Sequence, residues 1–471
     1  MSPIISLGRP LAAALAAALM VGCTTLAPDY TRPAAPVPAS FPASAKPSGD
    51  APSASDIAWR DYFADPALRD TIAQALENNR DLRVAALNIE KARAQYGIQR
   101  AALLPSVGIS AGGSAQRLPA DLSSTDQASI TRRYDATLGF SAFELDFFGR
   151  LRSLKDQALA QYLATEEARR SAQVSLVAEV ANAWLTLAAD RERLDLARRT
   201  LLTRQRSLDL TRHRFDAGVA SALDLHQQET LFQTARADVA RFTAVVAQDG
   251  NALQLLVGSA VPPQRLPDTL DGKVSAVAEL PAGIPSEVLT RRPDVMQAEH
   301  SLRAANASIG AARAAFFPSI TLTAAAGTAS ATLGGLFEGG SRTWSFAPQL
   351  NLPIFTAGRL SAQLEVSEAE RRIAVARYEQ AIQQAFREVA DALATRATVG
   401  EQVAAQQALA AASDDALRLT RARYERGVDG ALQLLDAERS LYAAQQSLIT
   451  VRLADAANRV VLYKVLGGGW Q

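Results

Sequence analysis

Residues Leu419–Ser440 read "LTRARYERGVDGALQLLDAERS", and Leu210–Leu231 read "LTRHRFDAGVASALDLHQQETL". The two stretches lie 209 residues apart and align without a gap, with Gly218-Val219 falling on Gly427-Val428. A glycine after a long helical run can take the left-handed backbone that ends a helix. Each stretch therefore reads as helix, tight turn, helix. Working outward, the same offset carries Gly149-Arg150-Leu151 onto Gly358-Arg359-Leu360 and Val257-Gly258 onto Leu466-Gly467. Further upstream Leu104-Pro105-Ser106 pairs with Phe317-Pro318-Ser319 at an offset of 213, so the extra four residues fall in between, where a hairpin loop changes length cheaply. The chain is built from two copies of one unit.

Within each unit the hydrophobic period changes. Asp65-Pro66 opens a helical stretch that runs to about Leu103, where Pro105 stops it. In the following "YDATLGFSA", Tyr134, Ala136, Leu138, Phe140 and Ala142 alternate with polar or small residues, the period of a half-buried strand. "VGISAGG" from Val107 carries a weaker version. The second copy alternates Ile320, Leu322, Ala324 and Ala326, then Trp344, Phe346, Leu350 and Leu352. That makes four strands in two hairpins, with tips near "LPADLSSTDQAS" and "LGGLFEGGS". After each hairpin a heptad spacing takes over, through Val180, Leu187, Leu194, Leu201, Leu208 and Phe215 in the first copy. This is a coiled-coil seam, and an unbroken helix from Leu151 to Phe215 would span roughly 100 Å.

The opening segment "MSPIISLGRPLAAALAAALMVGC" has a basic residue, a short apolar run and a small residue before Cys23, as a secretory signal does. Cys23 is the only cysteine, which excludes an internal disulfide. It is either an incidental small residue or the acceptor of a covalent lipid, and its place just after the signal core favours the lipid. The reading divides the chain into a signal peptide at 1–22, a lipid-anchored extended segment at 23–64 and a first unit at 65–258 with its hairpin near 105–147. A joining segment follows at 259–285, then a second unit at 286–467 with its hairpin near 318–355, and a tail at 468–471.

With 49 basic and 48 acidic residues the chain has no basic surplus, which argues against a nucleic-acid partner. Past the signal no run of about 18 apolar residues occurs, so a membrane would have to be crossed with strands. Four strands cannot close a barrel, for which about eight is the minimum, and open sheet edges must be paired. A symmetric homo-oligomer solves this: a dimer makes eight strands and a trimer twelve, and only the larger leaves an aqueous lumen.

The stretches "WRDYFADPALRDTIAQALENNRDLRVA", "LPAGIPSEVLTRRPDVMQAEHSLRAANASIGAARAAFFPSITL", "GRLSAQLEVSEAE" and "RYERGVDGALQLLDAERSLYAAQQ" resemble the TolC-like outer-membrane factors. The resemblance covers nearly the whole mature chain and points to the lipoprotein branch that serves resistance-nodulation-division efflux pumps. It implies a mainly helical subunit with a membrane β-barrel, a homotrimer of twelve strands continued by a periplasmic helical barrel, and a covalent lipid at Cys23 as the sole attached group. It also implies a periplasmic adaptor and an inner-membrane pump as partners, and a seat in outer-membrane lipid. Carried over, the gate at the periplasmic tip falls on Tyr424, Asp436 and Arg439.

The copies differ at those positions. Tyr424 faces Phe215, Asp436 faces Gln227 and Arg439 faces Thr230. A feature present once is not needed to build the shared hairpin. Asp436 and Arg439 read either as an ordinary solvated pair at i, i+3 on one helix or, in the light of the resemblance, as a charge pair repeated three times around an axis. Asp224, facing Gln433, is a candidate for the lumen lining. His213, His226 and His300 lack metal-ligand spacing, and no nucleophile–base pair stands out, so the chain is not expected to be an enzyme. Two other functions stay open: a channel for secreted proteins, and a non-conducting lipid-anchored scaffold, which would have no use for strands carrying Tyr134, Trp344 and Phe346.

Overall fold

The computed structural model describes residues 25–41, 54–123, 126–270 and 286–470. The signal segment, Cys23 and residues 271–285 of the joining segment lie outside the described residues. Seven helices longer than a single turn and four strands alternate along the described chain: α1 (Pro66–Asn78), α2 (Arg80–Ala101), β1 (Gly108–Leu118), β2 (Ser129–Leu145), α3 (Arg150–Asp216), α4 (Ala222–Val257), α5 (Pro293–Ala314), β3 (Ser319–Ser330), β4 (Arg342–Asn351), α6 (Arg359–Glu425) and α7 (Ala431–Val465). The two long helices have 67 residues each, and their ends stand at the repeat offset. The protein is mostly helical, with one small sheet.

The helical stretch expected from Asp65-Pro66 to about Leu103 is two helices, broken at Asn79. Asp65 caps α1 by accepting from the Ala67 and Leu68 amides at 2.7 and 3.1 Å. Asn79 then leaves the helical region at φ −63° and ψ 133°. Its side-chain oxygen accepts from the Leu82 amide at 2.9 Å, and its amide nitrogen donates to the Leu256 carbonyl at 2.8 Å. An asparagine that can satisfy the open amides of a following helix makes a break there cheap; the periodicity on either side carries no trace of it.

The chain forms two compact units, one of residues 25–34, Ile89–Thr165 and Gln297–Tyr378, the other of Ala35–Asn88, Glu166–Met296 and Glu379–Gln471. In the second, the heptad residues Val180, Leu187, Leu194 and Leu208 are buried. Ala189 and Leu196 of α3 pack on Ile449 of α7, while Leu194 and Ala197 pack on Phe242 of α4. One window of α3 reaches a mean hydropathy of 1.2, yet 61% of it is buried inside the protein; its apolar residues serve helix packing. Tyr62 stacks on Tyr463 at 3.9 Å between centroids, and their hydroxyls donate to the Arg459 and Ile57 carbonyls.

The first unit holds the sheet, an antiparallel meander in the order β1-β2-β3-β4. Register sorts its side chains cleanly. One face carries Ile109, Tyr134, Ala136, Leu138, Phe140, Phe143 and Leu145 of the first hairpin, then Ile320, Leu322, Ala324, Trp344, Phe346 and Leu350 of the second. The other carries Ser110, Ser114, Thr131, Thr137, Thr321, Thr323, Ser345 and Gln349. Among the described residues no helix longer than a single turn covers the outer part of the apolar face, where Ile109 and Trp344 are 82% and 79% exposed. The expected alternation fails at one point: Ala142 does not continue the apolar face. A bulge between Phe140 and Phe143 inserts one residue, Ala142 takes φ +51°, and Phe143 moves onto the apolar face, edge-on to Phe140 at 6.2 Å. Gly139 and Gly327 let β2 and β3 close up, since a Cβ on either would collide with the backbone opposite.

The N-terminal segment expected to be extended to 64 turns helical at Ala54–Asp56 and Trp59–Tyr62, while its part at 25–34, the strap, holds no helix and is docked on α5. Tyr30 and Arg32 donate to Glu299 at 3.1 and 2.7 Å, with Arg303 donating to the same carboxylate at 2.7 Å. Burial alone would push the Glu299 carboxyl up, but hydrogen bonds from Arg303 and Arg32 hold it below its ordinary range. Asn306 donates to the Pro28 carbonyl at 2.7 Å. Ala27 passes over Gly310, where any side chain would strike the strap and Ser153, and Thr25 hydrogen-bonds Ser153 at 3.0 Å.

Candidate functional site

The repeated turns are the same in backbone and different in chemistry. Gly218 (φ +71°) and Gly427 (φ +74°) close α3 and α6. In each turn the next residue's amide reaches back to the arginine carbonyl, Val219 to Arg214 at 2.8 Å and Val428 to Arg423 at 2.9 Å. That is the pattern of a Schellman cap. In the first copy Ser221 caps α4, and Asp224 completes the box by accepting from the Ser221 amide and hydroxyl at 3.1 and 2.7 Å. Asp224, the lumen candidate, is thus engaged in its own helix cap.

The second copy has Gly430 and Gln433 at those places and caps with no side chain. Its turn is held instead by Arg423, which donates to both oxygens of Asp429 at 2.7 and 2.8 Å and holds that carboxyl below its usual range. The first copy has Ala220 where Asp429 stands, so Arg214 lacks the same partner. It crosses to the other copy and donates to the Tyr424 hydroxyl at 2.8 Å, its guanidinium carbon 5.3 Å from the ring centre. The hydroxyl that Phe215 lacks is the group that receives this bond.

Asp436 and Arg439 are joined to each other on α7 and lie open to solvent, 55% and 64% exposed. Between them in sequence, and buried, is a residue whose partner the periodicity did not reveal. Arg204 of α3 and Glu438 of α7 form an ion pair with side chains only 6% and 4% exposed. Arg421 of α6 donates to the second Glu438 oxygen at 3.3 Å. Burial pulls the Arg204 guanidinium down, Glu438 pulls it up, and Arg421 and Arg439 add to the downward side. One carboxylate thus receives two arginines, with the charge of a third close by. Two open clefts of about 320 and 290 Å³ flank it, both lined by Thr203, Arg421 and Glu438. A sequence signal did exist: Arg204 faces Ser413 at the repeat offset, a buried charge written in one copy only.

Among the described residues no group of three His, Cys, Asp or Glu stands together as a metal site. The arrangement around the turns is one of helices pinned by charges and hydroxyls.

The profile of the family described as outer membrane efflux protein matches residues 71–259 and 284–468, one stretch for each copy. The chain is 51% identical over 465 residues to the toluene efflux pump outer membrane protein TtgC of Pseudomonas putida, covering 98% of this chain and 95% of that protein. It is 47% identical to the outer membrane protein OprJ of Pseudomonas aeruginosa over 97% of this chain and 95% of that one. Among solved structures, the open state of the MtrE outer membrane channel of Neisseria gonorrhoeae matches with a TM-score of 0.86 and 42% identity, covering 95% and 99% of the two chains.

Proposed function

The chain belongs to the outer membrane efflux protein family, and from that premise we propose how its parts perform the family's work. It is the outer-membrane channel component of a tripartite efflux system, a transport protein with a periplasmic portion. Its cargo is drugs and other small toxic molecules handed over by an inner-membrane pump of the resistance-nodulation-division class through a periplasmic adaptor. Three copies make the channel. The observation that carries this reading is the sheet: four strands, two free edges, one apolar face and one hydroxyl-rich face. Because the strand number is even and every pairing antiparallel, the β4 edge of one copy accepts the β1 edge of the next in antiparallel fashion. The ring closes with apolar residues toward lipid. Twelve strands leave the Ser, Thr and Gln face around water, where eight would fill it.

The lipid anchor belongs to the same reading. Thr25, two residues after Cys23, is held at Ser153, three residues into α3, and Leu26 accepts from Arg313 near the end of α5 at 3.4 Å. These points border the root of the sheet, the level at which an acyl chain on Cys23 enters the inner leaflet. The two repeated turns form the gate. Arg214 to Tyr424 and Arg204 to Glu438 tie the first repeat's helices to the second's, while Asp436 and Arg439, bonded among the described residues to each other, face their equivalents in neighbouring subunits. The equivalent exposed pairs Val219 and Val428, Leu223 and Leu432 offer the adaptor an apolar footing twice per subunit.

Planar-bilayer conductance of the purified mature protein beside Asp436→Ala/Arg439→Ala tests this. Small, mostly closed currents that enlarge in the variant are expected. No current from either, in a preparation whose sheet is intact, overturns the reading.

A further inference from the structure

Charged residues on the sheet are distributed unequally between its faces. On the hydroxyl-rich face Arg133 stands 3.5 Å from Asp135, and Glu144 takes two bonds from Arg150 at 2.8 and 2.5 Å. On the apolar face the charges are all of one sign: Arg117 near the end of β1, Arg132 near the start of β2 and Arg342 opening β4. Register puts them there, since Arg117 pairs with Ile130, Arg132 with Ala115 and Arg342 with Thr328. All three are exposed, and none of their side chains has an ion pair or hydrogen bond among the described residues. No carboxylate shares that face within the paired strands; the nearest in sequence, Asp121, Asp126 and Glu338, sit in the hairpin loops.

All three arginines also sit at the same end. They lie at the loop ends of their strands, past Tyr134 and Trp344, whereas the root of the apolar face finishes in Leu145, Ile320 and Leu350 with no charge. A cation on a lipid-facing strand is costly at mid-membrane and nearly free at the interface, so its place marks a headgroup level. Arg117 and Arg132 are diagonal neighbours across β1 and β2, about 7 Å apart by sheet geometry, and two like charges so placed call for a shared anion. Guanidinium groups hold phosphate through paired hydrogen bonds.

We infer that Arg117, Arg132 and Arg342 form a binding band for the phosphate groups of the glycolipid in the outer leaflet, repeated around the barrel. The inference rests on the proposed lipid-facing role of the apolar face and adds to it a ligand class and three residues. An anchor in each leaflet results, acyl chains on Cys23 at the root and phosphate contacts at the rim, which fixes the height of the channel against the pull of its periplasmic partners.

The test uses detergent-purified full-length mature protein and native mass spectrometry, with bisphosphorylated lipid A, its dephosphorylated form and phosphatidylcholine as probes. Wild type retains lipid A, and Arg117→Gln/Arg132→Gln/Arg342→Gln binds it about a hundredfold more weakly, as three surface cations opposite anionic lipid would give. Dephosphorylated lipid A and phosphatidylcholine are retained by neither. Arg133→Gln, on the opposite face, behaves as wild type. Equal retention of lipid A by the triple variant, or of the dephosphorylated form by wild type, overturns the inference. Displacement of lipid A by millimolar inorganic phosphate overturns the assignment to lipid in favour of a free-phosphate site. Bilayer conductance of the same preparations separates the two readings: a triple variant that conducts normally and keeps lipid A sinks the band alone, and a wild type that never conducts sinks the channel.

Discussion

Glu438→Ala removes the one carboxylate that Arg204 and Arg421 share and that offsets the nearby charge of Arg439. Arg421 and Arg439 are 43% and 64% exposed and can turn to water, but Arg204, at 6%, cannot. Removing one partner of a buried ion pair costs about 3–5 kcal/mol, because the other is left charged and dry. The whole subunit need not unfold to relieve it. The ends of α3 and α7 can separate locally, and about 3 kcal/mol raises the population of a locally open state by a factor on the order of 100. Two assays read this: amide exchange at the α3 and α7 residues around the pair, which should lose protection selectively, and open probability in planar bilayers, which should rise. Arg204→Met/Glu438→Leu is the control, since an apolar pair commonly replaces a buried ion pair at no loss; it should restore protection and closure. A Glu438→Ala protein as protected and as closed as wild type would refute the reasoning. So would a double variant as open as the single one, since packing and not charge would then hold the helices.

Arg439→Ala should raise conductance without lowering the unfolding temperature, because the Asp436 pair is solvent-exposed and such pairs add about 0–1 kcal/mol to a single chain; unchanged currents would remove Arg439 from the proposed gate. Tyr424→Phe deletes the acceptor of Arg214 at 2.8 Å and should loosen the turns by about 1 kcal/mol, read as faster exchange at the two glycines, with the rest of the chain unaffected. Cys23→Ser should lower the mass of the purified protein by that of the lipid besides the sulfur-to-oxygen exchange, while leaving its circular dichroism unchanged; a mass difference no larger than that exchange would show that Cys23 carries none. Asp249, pushed up to about 6 by burial and by its hydrogen-bonded neighbour Asp190, favours its protonated form when folded. Its contribution is fully present below about pH 4, the range of a free carboxyl, and is lost as pH rises through about 6. Asp249→Asn should therefore gain stability over wild type at about pH 7.5 relative to about pH 4, and parallel unfolding temperatures across that range would count against the pair.

The repeat, the long helices and the strand alternation were legible in the residues because each is written locally. A glycine that ends a helix and a side-chain period of two or 3.6 need no knowledge of what the segment packs against. The chemistry of the repeated turns was legible only in part. Tyr424, Asp436 and Arg439, carried over from the family resemblance, differ from their counterparts in the other repeat, but their partners did not follow from that. Arg214 finds Tyr424 across 210 residues and Arg204 finds Glu438 across 234. Which arginine lacks an acid in its own turn is written in the sequence, Ala220 standing where the other repeat has Asp429, but the partner it then finds depends on how the two repeats face each other. Likewise the bulge at Ala142 is set by the register of β2 against a strand of the other copy, and the break at Asn79 by a carbonyl of α4 at Leu256. Sequence alone thus determined the elements, their duplication and the two-faced sheet, each a matter of local backbone preference and side-chain period. Tertiary structure decided which charges are buried and with whom, because the desolvation that makes a buried charge seek a partner exists only once distant segments have excluded water together.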